Sequence, residues 1–184
     1  MREELNTRRI VYTALMTALV YAATMIAFPL LGSKVRLANS VSLLGSLLLG
    51  PVLGGLASGL GSLIYDIQTG YGFEGIVTFV SKFAMAWVCG ALAFSAGRRA
   101  EDHRWNLLAV TAGAWTYVAL YMLKTFVFRL FIYGYPLDAV WATMLSKFPA
   151  SAINAVAAMV ITPILYTAVR PALKSAGQLE AMRP

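Results

Sequence analysis

Three lysines interrupt apolar runs that otherwise carry almost no charge. Lys82 lies within Gly75 to Gly97, Lys124 within Trp105 to Leu137, and Lys147 within Ala139 to Val169. An ammonium group in hydrocarbon is costly and rare, and it marks a functional site more often than a structural one. Its chemistry is that of a point charge with three donors, suited to a carboxylate, a phosphate or a cluster of hydrogen-bond acceptors. Polar residues at helical spacing share the faces of these lysines. Thr78 is one turn from Lys82, Tyr117 and Tyr121 lie on the face of Lys124, and Ser151 and Asn154 lie on the face of Lys147. Asn39, at the end of a polar loop, completes the set of candidate substrate contacts. Other site chemistries lack their residues. The sole histidine, His103, sits in a charged loop and the sole cysteine, Cys89, in an apolar run, so no internal disulfide, metal site or cofactor is expected.

The elements that position these lysines follow from composition. The 184 residues are 59% hydrophobic and only 12% charged. An ordinary soluble domain carries about twice that share of charge, and disorder requires low hydrophobicity. The chain therefore reads as an all-α integral membrane protein, one membrane domain over residues 1–184. Its net charge of +7 reflects topology rather than nucleic-acid binding. Backbone groups in lipid must be satisfied within each segment, which makes the apolar runs helices, and the alternation of a barrel strand is absent. The run from Leu37 to Tyr65 is too long for one upright span, and Gly50-Pro51 divides it. A six-transmembrane-helix bundle with short second and third helices results, over 10–31, 40–49, 52–65, 75–97, 105–133 and 139–169. One kinked second span, giving five, is the alternative. The first run is too long for a signal-peptide core and is kept as a helix. Gly55 with Gly59, and Ala57 with Gly61, are spaced for close helix packing.

Six spans place both termini on one side, with nine basic residues: Arg2, Arg8, Arg9, Arg98, Arg99, Arg104, Arg170, Lys174 and Arg183. Lys34 and Arg36 lie on the other. The positive-inside rule puts the termini in the cytoplasm of a bacterial-type cell membrane. Counted from the outer helix ends, Lys82, Lys124 and Lys147 all sit about 10–14 Å deep at 1.5 Å per residue. Two readings stand: a polar pocket lined by helices four to six and opening outward, or lysines that snorkel to the interface, as Arg129 near a helix end can do. Asp66, Glu74 and Asp138 are the outer carboxylates, and some of these charges can pair with one another. The glycine-bearing loops 32–39 and 66–74 read either as a gate or as plain connectors.

On the first helix, Ala14, Ala18 and Ala22 recur every four residues, a smooth stripe for close packing within the chain or against a partner. No phosphate-binding loop is present, so any ATP-driven step needs another chain.

With these features the chain resembles the substrate-binding membrane subunit (S component) of energy-coupling factor (ECF) vitamin transporters, closest to the riboflavin-transporter-like branch. The resemblance runs from Arg9 to about Val169. It is carried by the alanine stripe, the segment from Asn39 to Pro51, the Gly-rich third helix ending Tyr65-Asp66, the segment Glu74 to Lys82, and Asn154. The family pattern Pro-x-Thr-x-x-x-Lys-Gly is altered here: Glu74-Gly75 stands near the proline, and Phe83 follows the lysine. The resemblance implies capture of a water-soluble vitamin or related micronutrient from outside, without catalysis. It also implies delivery through a transmembrane coupling subunit and two ATPase subunits, with Ala14, Ala18 and Ala22 as the docking surface. A self-sufficient secondary carrier is the alternative, but it calls for an intramembrane carboxylate that the helix interiors lack. A membrane enzyme would need a nucleophile, metal cluster or acid pair at depth. The identity of the vitamin is open among riboflavin, pantothenate, pyridoxine, a thiamine precursor and a queuosine precursor, with a lean toward an anionic or acceptor-rich ligand.

Overall fold

The computed structural model describes residues 2–30 and 33–182, with the side chains of 2–6, 29, 30 and 33–35 left aside. Leu31 and Gly32 of the first loop, Arg183 and the side chains of Arg2 and Lys34 thus lie outside the described residues. Helix α1 spans Arg2–Met25. It presses Met16, Val20 and Ala23 against the rest of the chain and leaves Val11, Leu15 and Leu19 exposed. The helix expected to run to Leu31 stops at Met25, and the apolar run continues as strand β1 (Ala27–Leu30), paired antiparallel with β2 (Ser33–Arg36) so that Ala27 faces Arg36. Phe28-Pro29 explains the change: a residue before proline is driven out of the α region, and helices end ahead of such a step. The all-α fold stands, with this short two-stranded hairpin as an addition that the sequence did not announce.

Helix α2 covers Ala38–Gln68 but is broken at Gly50, whose φ of 82° and ψ of −178° belong to a region open only to glycine. Pro51 follows at the first position of the second arm, where its missing N–H is harmless. The two arms, 38–49 and 51–68, fold back on each other. A Cβ on Gly54 would come within 2.5 Å of the Ser46 Cα. At 1.5 Å per residue the arms measure about 18 and 27 Å. Leu43, Leu47, Leu48 and Leu49 of the first arm form the centre of the core with Met85, Cys89, Val110 and Ala114. On the second arm, Gly55 and Gly59 admit the rings of Phe83 and Phe79, and Gly61 admits Val20 of α1. The tightness at Gly54 gives a first expectation. Gly54→Ala should lower the thermal midpoint of the purified chain by about 5 °C or more, because backbone rather than a flexible side chain must yield. An unchanged midpoint would mean that the arms separate freely.

Helix α3 is Phe73–Ala93, followed by a 3₁₀ turn at Ser95–Gly97 where the sequence suggested unbroken helix. Helix α4, His103–Val127, is capped by the Asp102 carboxylate, which accepts from the backbone N–H groups of Arg104 (3.0 Å) and Trp105 (3.3 Å). It runs on as a π turn, Phe128–Ile132. Helix α5, Leu137–Ser175, extends beyond the expected end at Val169, and a last short helix α6, Leu179–Met182, was not foreseen. It buries Leu179 and Met182, while the Tyr12 hydroxyl hydrogen-bonds Gln178 and ties this segment to α1. At the end of the bundle remote from the hairpin, the Ala100 carbonyl accepts from Asn106 and from the Tyr166 hydroxyl, both at 2.7 Å, joining α4 to α5.

Among the described residues four helices are long and apolar enough to cross a membrane: α2, α3, His103–Ile132 and α5. The uncharged part of α1, 10–25, measures about 24 Å at the same rise, with the hairpin continuing beyond it.

Candidate functional site

At the hairpin end of the bundle the arms of α2 meet α3, α4 and α5 around a cavity of about 790 Å³. All nine residues singled out in the sequence line it: Asn39, Thr78, Lys82, Tyr117, Tyr121, Lys124, Lys147, Ser151 and Asn154.

Lys82 is the deepest charge. It is only 6% exposed; its ammonium donates to Asn39 Oδ1 and stands 4.3 Å from the centre of the Tyr117 ring. A cation held this way is not snorkelling; it is fixed by an amide oxygen from α2 and the π face of a tyrosine from α4. Tyr117 and Tyr121, one turn apart, stack with ring centres 6.1 Å apart, and Lys147 lies 5.8 Å from the Tyr121 ring. The helical spacing that groups these residues in the sequence is thus a single aromatic wall flanked by two cations.

Lys124 has a different partner. Its ammonium is 3.0 Å from Glu74 Oε2, and it reaches Thr78 Oγ1 at 3.4 Å. The other carboxylate oxygen of Glu74 accepts from the Tyr133 hydroxyl at 2.8 Å. This hydrogen bond, favouring the protonated phenol, raises the Tyr133 pKa. Glu74 therefore links the start of α3 to α4 and to the loop beyond it. Asn154 Oδ1 accepts from the backbone N–H of Arg36 at 2.8 Å, and its amide donates to the Ala150 carbonyl at 2.9 Å. It ties the hairpin to α5 and so positions one wall of the cavity.

Further residues complete the lining. Arg36, Asp66, Glu74, Tyr71, Arg129, Tyr133 and Tyr135 all contribute. Asp66 is 9% exposed and lies within the last turn of α2, not in a connector, and Glu74 lies in the first turn of α3. Arg129, expected to snorkel, turns inward with its guanidinium 5.0 Å from the Tyr135 ring. Arg129 lies inside the π turn, whose wider winding departs from α-helical register.

The cavity offers ammonium and guanidinium donors, phenol hydroxyls and stacking faces, a chemistry of recognition. Among the described residues no group of three His, Cys, Asp or Glu side chains lies close enough to hold a metal ion. On the far side of α1, Ala14, Ala18 and Ala22 are all exposed, so the smooth stripe does not pack within the chain.

The model of the ECF-type riboflavin transporter, S component, matches residues 4–171. No curated protein matches the chain.

Proposed function

The chain belongs to the ECF-type riboflavin transporter S component family, and from that premise we propose that its cavity captures a water-soluble vitamin or related micronutrient at the outer face of the cell membrane. As a member of that family it is a substrate-binding transporter subunit embedded in the membrane by several helices, and not an enzyme. The observation that carries the reading is the convergence of Lys82, Lys124 and Lys147, from three different helices, on one cavity with a wall of stacked tyrosines. Cations buried in a membrane protein without a role would be a pure cost.

Six crossings follow if α1 with its hairpin counts as one and the arms of α2 as two. Both termini then lie in the cytoplasm with most of the loop arginines, and the cavity opens outward. Release inward requires a transmembrane coupling subunit and two ATPase subunits. The exposed stripe of Ala14, Ala18 and Ala22 suits the first of these, since small residues let a partner helix approach closely. A self-sufficient carrier is less well supported, because Asp66 and Glu74 both stand within a turn of helix ends.

Reconstitution separates the two. Vesicles holding the chain alone should bind the vitamin and neither hydrolyse ATP nor accumulate it; adding the coupling subunit and ATPases should start ATP-dependent uptake. Uptake by the chain alone, driven by an ion gradient, would establish the carrier.

A further inference from the structure

The cavity is unbalanced in charge. Arg36, Lys82, Lys124, Arg129 and Lys147 face only two carboxylates, Asp66 and Glu74. Glu74 is used by Lys124 at 3.0 Å. Lys82 is held by a neutral amide, and Arg129 and Lys147 stand over tyrosine rings at 5.0 and 5.8 Å. Among the described residues none of these last three is paired with a carboxylate within salt-bridge distance. Five cations against two carboxylates leave a net surplus of three positive charges in a concave site with low-dielectric walls, where field lines are focused and an anion is strongly favoured. A neutral, hydroxyl-rich vitamin would use the phenols and leave this surplus uncompensated.

We infer that the physiological ligand enters as an anion, a vitamin form carrying a phosphate monoester or carboxylate, with its ring against Tyr117 and Tyr121 and its anionic group between Arg129 and Lys147. The inference rests on the capture reading above and narrows its substrate class. Arg129 supplies the planar fork that matches two oxygens of such a group, and Lys147 a second point charge. Both stand at a cavity rim that also carries Tyr133 and Tyr135, which are exposed. The rim is reached first by a solute from water, and an anion would be drawn to it over roughly a Debye length, about 8 Å at physiological salt.

The test uses matched pairs that differ in one anionic group: riboflavin with riboflavin 5′-phosphate, and panthenol with pantothenate. Binding to the full chain in nanodiscs is measured by calorimetry at low and high salt. The anionic member should bind at least about tenfold more tightly in whichever pair binds, and the advantage should shrink in 0.5 M salt. It should also shrink in the Arg129→Gln/Lys147→Gln double variant, whose thermal midpoint is followed to establish folding. If the neutral member binds as tightly as the anion, the inference is overturned while vitamin capture stands. If an anion advantage survives both salt and the double variant, the assignment of the surplus charge to this rim is wrong. Binding of none of the four at millimolar concentration would sink both the anion inference and the capture of these vitamins.

Discussion

Lys82→Met should lower ligand affinity by about 2–3 kcal/mol, roughly 30- to 150-fold, without lowering the thermal midpoint of the unliganded chain. The two halves of this expectation separate a ligand-binding lysine from a structural one. Lys82 is buried, and Met keeps most of its volume while removing the charge. Losing a desolvated charge with no carboxylate partner in contact removes the penalty of burying an ion, which offsets the donor that Asn39 Oδ1 loses. The ligand, by contrast, loses a charge-assisted hydrogen bond at the deepest point of the cavity. If Lys82 instead served only to brace Asn39 and Tyr117, the midpoint would fall along with affinity. Lys124→Ala should act more weakly, by about tenfold, because Glu74 already holds that ammonium and part of its effect is to hold the cavity wall. Unchanged affinity in both variants would remove the cation pocket. Equilibrium dialysis with radiolabelled ligand measures both.

The second large effect lies on the opposite face. Ala18→Arg should abolish ATP-dependent uptake by the assembled complex while leaving binding by the isolated chain unaltered. Ala14→Arg should do the same. Both positions are exposed on α1, away from the cavity, and the neighbouring buried face of α1 is made by Met16, Val20 and Ala23. A long cationic side chain in a seam built from small residues separates two helices that pack backbone to backbone. Uptake at the unaltered rate would refute the docking role of the stripe. Loss of binding as well would show that the substitution disturbs the bundle rather than an interface.

Much of this was legible in the sequence because membrane helices obey strict rules. A charge in an apolar run stands out, and spacing of three or four residues puts its polar neighbours on the same face. That is why Thr78 with Lys82, Tyr117 and Tyr121 with Lys124, and Ser151 and Asn154 with Lys147 lie around one cavity. The Gly50-Pro51 break was legible for the same reason: few sequences turn a membrane helix so sharply. Three features were not. The hairpin is hidden inside the apolar run from Ile10, where composition reads as continued helix and only Phe28-Pro29 hints otherwise. The pairing of Glu74 with Lys124 joins residues 50 apart in the chain, and no local pattern encodes it. Arg129 depends on the π turn, a change of winding that residue periodicity does not register. These are long-range or irregular features, and they refine the rim and charge balance of the cavity rather than its location.

The most direct test is native mass spectrometry of the intact chain, extracted gently from cells grown in rich medium. If the cavity is the capture site, the spectrum will show one small molecule bound per chain, of a mass compatible with a vitamin, and the Lys82→Met chain prepared in the same way will have lost it. A ligand retained in full by Lys82→Met, or a chain that remains empty after incubation with vitamin-replete extract, would contradict it.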